Sequence, residues 1–219
     1  MKYMLITQNN KSKTLINIDY IHVLYKYLFL HEQIYQLIEI TKDHIEKFIV
    51  YWFPRVYLDY TTKEIQEIVR NTRIYIEWCL DKTNNDDIKN INFNVLEAEL
   101  LKIQKKSSKV ALIKTKIDRP KVMGKRSIWL EPEEEIQQEC EIVSSWFQFI
   151  EINSDICILK NIKNNNIYYI DEINQIKEIG LEDEIITLEL YRGKKSDKFW
   201  RITNIGLIYS RKAKKYLLM

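Results

Sequence analysis

Between Phe147 and Ser210 the chain reads FQFIEINSDICILKNIKNNNIYYIDEINQIKEIGLEDEIITLELYRGKKSDKFWRITNIGLIYS, and apolar residues recur in it at nearly every second position. A period of two puts alternate side chains on opposite faces of an extended chain, so the pattern predicts strands with one buried face. The predicted strands are Phe147–Ile152, Ile156–Ile162, Ile167–Ile170, Glu184–Tyr191, Phe199–Ile205 and Leu207–Ser210, several of them separated by short turns containing Asn or Gly. Five or six short strands so closely spaced predict a small antiparallel sheet, curled or closed into a barrel.

Upstream the period changes. From Asp19, the residues Ile21, Leu24, Tyr25 and Leu28 fall three and four apart, and Ile34, Leu37 and Ile38 extend the same helical face. Thr41 is placed to cap a second helix carrying Ile45, Phe48, Ile49 and Trp52, which Pro54 is expected to end. Thr61-Thr62-Lys63-Glu64 is a capping box, in which hydroxyl and carboxylate satisfy each other's unpaired backbone N–H groups. The helix it opens buries Ile65, Ile68, Val69, Ile76 and Leu80 and gives way to a polar loop at Asn84-Asn85-Asp86-Asp87. Ahead of these helices, Tyr3–Thr7 and Thr14–Ile18 flank Asn9-Asn10 as a hairpin would. Asn94 and Glu97 predict a further helix to about Lys105, residues 109–117 alternate as a strand, and Glu131-Pro132 opens a helix with the stripe Ile136, Cys140, Val143 and Phe147. The reading is α+β: a mainly helical region 1–82, a basic connecting segment 83–130, and a helix with a β-rich domain over 131–219.

Composition narrows the function classes. At 46% hydrophobic and 30% charged residues the chain is globular in composition, and 219 residues are enough to bury a core without staples. Only three Ala and four Gly occur, while Ile, Lys, Asn and Tyr are abundant, the bias of an AT-rich coding sequence. Cys79, Cys140 and Cys157 are widely spaced with no CxxC, so buried thiols in a reducing compartment are expected. The start, MKYMLITQNNKSK, lacks the apolar core of a signal peptide, and the longest apolar run is Phe48 to Phe53; a cytoplasmic protein away from the membrane is expected.

Catalytic patterns are sparse. His22, His31 and His44 lie in the helical region at spacings that put no two on one helix face for zinc, so no metal and no cofactor is expected. The β-rich half has no His to serve a Ser or Cys nucleophile, and neither GxGxxG nor GxxxxGK[ST] occurs. A nuclease would need acids converging beside a Lys; Asp171 or Asp183 with Glu189, Lys194 and Lys195 is the nearest set. Tyr60 to Ile68 looks like the first helix of a helix-turn-helix reader, with Thr72 to Trp78 as the second. The linking Val69-Arg70-Asn71 is one residue short and lacks Gly, so one continuous helix from Thr62 to Asp81 fits better.

Charge is the feature that points to a partner. Lys102, Lys105, Lys106, Lys109, Lys114, Lys116, Arg119, Lys121, Lys125 and Arg126 are opposed within their segment only by Asp118, a net of +9 in a chain of net +3. One-signed charge of this density attracts phosphate by releasing counterions, and the competing reading is a strip neutralised by the acidic run Glu131–Glu135 downstream. The β-rich half adds rings flanked by cations: Tyr168, Tyr169, Tyr191, Phe199 and Trp200 near Arg192, Lys194, Lys195, Lys198 and Arg201. Tyr168-Tyr169 and Phe199-Trp200 are neighbours, so on a strand one member of each faces away from the core. The expected function is non-enzymatic binding of DNA or RNA through Lys114, Lys116, Arg119, Lys121, Lys125 and Arg126 together with Arg192, Lys194 and Lys195. The alternative is a protein-binding inhibitor, immunity or assembly factor of a virus or mobile element, anchored by exposed Tyr and Trp.

Overall fold

The computed structural model describes residues 3–8, 12–57, 60–114, 141–153, 156–171, 174–181, 183–193 and 197–219. The chain divides into two compact units, one of residues 1–105 with 215–217 and 219, the other of residues 106–214 with 218.

The first unit opens on the expected hairpin, β1 (Tyr3–Gln8) antiparallel to β2 (Ser12–Asn17). Asn17 then caps α1 (Ile18–Leu30), its side-chain oxygen accepting from the Asp19 N–H at 3.0 Å. The Asn17 N–H donates at 2.7 Å to Oδ1 of Asn71, which is buried in the long helix α4 (Thr62–Thr83). The helical face does not continue through Ile34, Leu37 and Ile38 as expected: α1 stops at Leu30, and Leu37–Glu39 form a separate short turn. Gln33 is the reason, for its φ of 55° turns the chain out of the right-handed path.

Thr41 caps α2 (Lys42–Lys47) in a two-way arrangement, its hydroxyl accepting from the His44 N–H at 3.3 Å and its own N–H donating to His44 Nδ1 at 3.1 Å. Pro54 does not end this helical stretch. A wide turn over Phe48–Trp52, in which the Phe53 N–H reaches back five residues to the Phe48 carbonyl, leads into α3 (Phe53–Val56). The widened turn relieves the clash that a proline ring makes with the preceding turn, and Pro54 sits in the first turn of α3, where its missing N–H is not needed. α4 is a single helix with no break at Val69-Arg70-Asn71, opened by the Thr61–Glu64 capping box and closed at Asn84, where φ is 49°. Tyr27 sits at the centre of the core, its ring 5.3 Å from those of Phe48 and Trp52. The end of the chain belongs here too: Tyr216 in α7 (Lys214–Leu217) donates its hydroxyl to Asp43 Oδ1 at 2.9 Å.

α5 (Phe93–Lys114) corrects the strand expected over 109–117, whose first six residues are helical and whose last three lie outside the described residues. Ile103, Val110 and Ile113 are buried while Leu112 is exposed, the spacing of a helix face; an alternating apolar pattern of a few residues had mimicked a strand.

The second unit is built on an antiparallel sheet of β3 (Glu141–Ile152), β4 (Cys157–Asn161), β5 (Ile167–Ile170), β6 (Ile185–Arg192) and β7 (Arg201–Tyr209) in the order β5-β4-β3-β6-β7. α6 (Asn174–Ile179) lies between β5 and β6 in sequence. The helix expected downstream of Glu131 is contradicted where it can be seen: Val143 and Phe147 are on β3, and Glu131 to Cys140 lie outside the described residues. A separation of four puts two residues on one face of a helix and of a strand alike. Phe199–Ile205 and Leu207–Ser210, expected as two strands, give the single strand β7 with a register shift at Gly206. A Cβ there would stand 2.8 Å from Thr187 Cβ, so only glycine fits the close approach at this bulge.

The sheet is curled but not closed into a barrel. Its two edges meet at one point, where Ile170 of β5 bridges Trp200, just ahead of β7, and the Trp200 N–H donates to the Tyr169 carbonyl at 2.8 Å. Phe147, Leu159, Tyr168, Leu188, Leu190 and Ile205 are buried within the curl. The fold is α+β, helices first and an antiparallel sheet after.

Candidate functional site

At the end of the sheet where β6 turns into β7, Asp171, Tyr191, Arg192, Asp197, Phe199 and Arg201 line an open cleft of about 480 Å³, with Gly193 and Lys198 completing it. Alternation along the strands sets what enters it. Register pairs Glu141 of β3 with Arg192 at the end of β6, on the same face as Val143 and Leu190. The Arg192 guanidinium forms an ion pair with Glu141, donates to the Asp197 carbonyl at 3.2 Å and lies 4.5 Å above the Trp200 ring. Trp200 packs edge-on to Tyr168 at 5.2 Å, and Tyr168 in turn to Phe147 at 5.4 Å. A file of rings thus runs from the core to the guanidinium, and Arg192 is fixed from three sides.

The neighbouring members of each aromatic pair turn outward, as alternation requires. Tyr168 is 7% and Tyr169 38% exposed; Trp200 is buried and Phe199 half-buried. Lys198 spans the two outward rings, its ammonium 5.9 Å from the Tyr169 centroid and 5.5 Å from that of Phe199.

Of the cations singled out from the sequence, Arg192 is in the cleft and Lys114 is the exposed last residue of α5. Lys116, Arg119, Lys121, Lys125, Arg126, Lys194 and Lys195 lie outside the described residues. Two further members of the basic run are held within the second unit: Lys106 donates to Glu184 at 2.6 Å in a buried ion pair, and Lys109 donates to the Glu178 carbonyl at 3.1 Å. The two carboxylates of the cleft, Asp171 and Asp197, had no place in the binding site read from sequence.

Of the acids of the nuclease reading, Asp171 lines the cleft, while Glu189 and Asp183 are engaged elsewhere. Glu189 accepts from the Thr203 hydroxyl at 2.7 Å, and Asp183 pairs with Arg211 at 3.6 Å. Among the described residues no three His, Cys, Asp or Glu side chains come together as a metal site needs, and no helix is long and apolar enough to cross a membrane. Cys79 and Cys157 are buried, and burial pushes each thiol up to about 12.

A second surface lies on the first unit. Tyr25 and Phe29, one turn apart on α1, stack at 5.6 Å, and Tyr35 meets Phe29 edge-on at 5.1 Å, all three rings exposed. Against this geometry, no protein family, curated protein or solved structure matches the chain.

Proposed function

We propose that the chain is a non-enzymatic nucleic-acid-binding protein that engages phosphate through the basic segment 102–126 and through the rim of the cleft between β6 and β7. The observation that carries this reading is that Arg192, Lys198 and Arg201 line the cleft with Asp171 and Asp197, next to the outward rings of Tyr169 and Phe199, while the sequence adds Lys194 and Lys195 between Arg192 and Lys198. Cations that follow a backbone and rings on which bases stack are the two components of single-strand binding sites, and a one-signed basic run supplies the sequence-independent attraction. The purified chain is expected to carry over nucleic acid, seen as a raised 260-to-280 nm absorbance ratio, and to be retained on heparin. Its binding to a generic oligonucleotide should weaken steeply as salt rises. Absence of any salt-sensitive binding to DNA or RNA at low ionic strength would overturn the reading.

A protein partner is the second reading, favoured by the exposed Tyr25–Phe29–Tyr35 group, since aromatic residues dominate the energetics of protein interfaces. A chain that elutes early from heparin, free of nucleic acid, would favour it.

A further inference from the structure

Resting on the nucleic-acid reading, we infer that the cleft between β6 and β7 takes single strands, with a base stacked against Phe199 and Tyr169 and Lys198 directed to the adjacent phosphate. Three features of the cleft point to this. Its lining is mixed in sign: Asp171 and Asp197 face the same space as Arg201 and Lys198. A duplex presents a continuous phosphate surface, which those carboxylates repel. An unpaired base frees its Watson–Crick edge, whose N–H groups donate hydrogen bonds to carboxylates. The rings are the second feature. Phe199 lines the cleft and Tyr169 stands next to its Lys198, both rings turned out of the core with one ammonium shared between their faces. A base that takes the place of the ammonium gains the ring face, and the long lysine stem carries its charge to the phosphate beside it. Third, a cleft of about 480 Å³ is of the size that encloses a small ligand and matches a nucleotide better than a helix of paired strands.

The experiment is fluorescence anisotropy with one labelled oligonucleotide, single-stranded and in duplex with its complement, as DNA and as RNA, at one salt concentration. The single strand is expected to bind at least about tenfold more tightly than the duplex. Tyr169→Ser and, as a milder partner, Phe199→Leu should each lower single-strand affinity about fivefold or more and leave duplex binding nearly unchanged. Asp171→Asn should raise duplex affinity and narrow the gap between the two. Circular dichroism checks that each variant is folded, and Tyr169, being exposed, keeps the test open if Phe199→Leu unfolds. Equal affinity for single strand and duplex, with Tyr169→Ser silent, would overturn this inference and leave the nucleic-acid reading standing. Binding to neither would overturn both.

Discussion

Glu184 and Lys106 form the most deeply buried ion pair among the described residues, with side chains 3% and 12% exposed and 2.6 Å between charges. Removing one charge from such a pair leaves the other desolvated without a partner, which costs about 3–5 kcal/mol, whereas replacing both by apolar groups is close to neutral. Glu184→Ala is therefore expected to destabilise the chain by about that amount in a urea titration, and Lys106→Met with Glu184→Leu to recover most of it. A Glu184→Ala variant within about 1 kcal/mol of wild type would show that water reaches the pair. The thiols give a second test at this scale. The thiolate is the reactive form, and burial has pushed Cys79 and Cys157 up to about 12, so neither should be alkylated by iodoacetamide in the folded chain at pH 8. Mass spectrometry after brief exposure, before and after denaturation, checks this residue by residue. Fast modification of Cys157 in the native state would contradict its place inside the sheet.

At the scale of elements, local signals were legible where they were chemically specific. Thr61 and Glu64 form the capping box their spacing demands, and Asn84 ends the same helix in a left-handed conformation. β4, β5 and β6 fall within a residue of where the alternation places them, and β7 joins two stretches that alternation read as separate strands. Errors arose where two periods coincide, as for Val143 and Phe147, or where a compensating feature lies outside the local pattern, as with the wide turn that accommodates Pro54. Of the cleft, the contiguous stretch from Tyr191 to Arg201 could be read from the chain, because its cations and rings are neighbours in sequence. Asp171 was singled out only as a nuclease acid, and Glu141 could not be read at all, since strand pairing alone brings it opposite Arg192. α7 illustrates the same limit and supports a pH prediction. Partial burial pushes the Asp43 carboxyl up, but hydrogen bonds from Lys215 and Tyr216 outweigh it and hold the group below its ordinary range. Burial likewise pulls Lys215 down, and its bonds to Asp43 and Tyr216 outweigh that and hold it above. A depressed carboxyl stabilises above its unfolded value and loses that contribution as pH falls through the folded one. A raised ammonium does the reverse at the alkaline end. The contact should thus be fully formed between about pH 4 and pH 10, and small, because both side chains are half exposed and screened by solvent. The difference in melting temperature between wild type and Lys215→Ala is expected to be flat across that window and to shrink as the pH falls below the ordinary Asp value of about 4. A difference that grows as the pH falls would contradict the assignment.

Across the whole molecule, the distribution of charge matters more than its sum. The chain carries +3, yet its segment 102–126 carries +9, so the remainder is acidic by about 6 charges. Lys106 is neutralised by Glu184 and Lys109 is tethered to the Glu178 backbone carbonyl, which reduces what the run can offer a phosphate backbone. Lys114, Lys121 and Lys125 are suited to a charge reversal that separates binding from self-neutralisation. If all three contact phosphate, changing them to Glu should flatten the slope of log affinity against log salt by about 2.7 on duplex and about 2 on single strands. The cleft rim calls for a different choice, because Arg192 is held by Glu141, Asp197 and Trp200, and its reversal would disturb the sheet itself. Lys194→Glu with Lys195→Glu, between β6 and β7 in sequence, is the alternative, with an expected flattening of about 1.4 on single strands if both contact phosphate. Thermal melts of both variants supply the control. A triple variant that unfolds would show that the run is docked on acids of its own chain, Glu131–Glu135 being nearest in sequence. A triple variant that folds normally and keeps the wild-type slope would place phosphate contact elsewhere. If the Lys194/Lys195 variant alone flattened the slope, the stretch between β6 and β7 would account for binding without the 102–126 run.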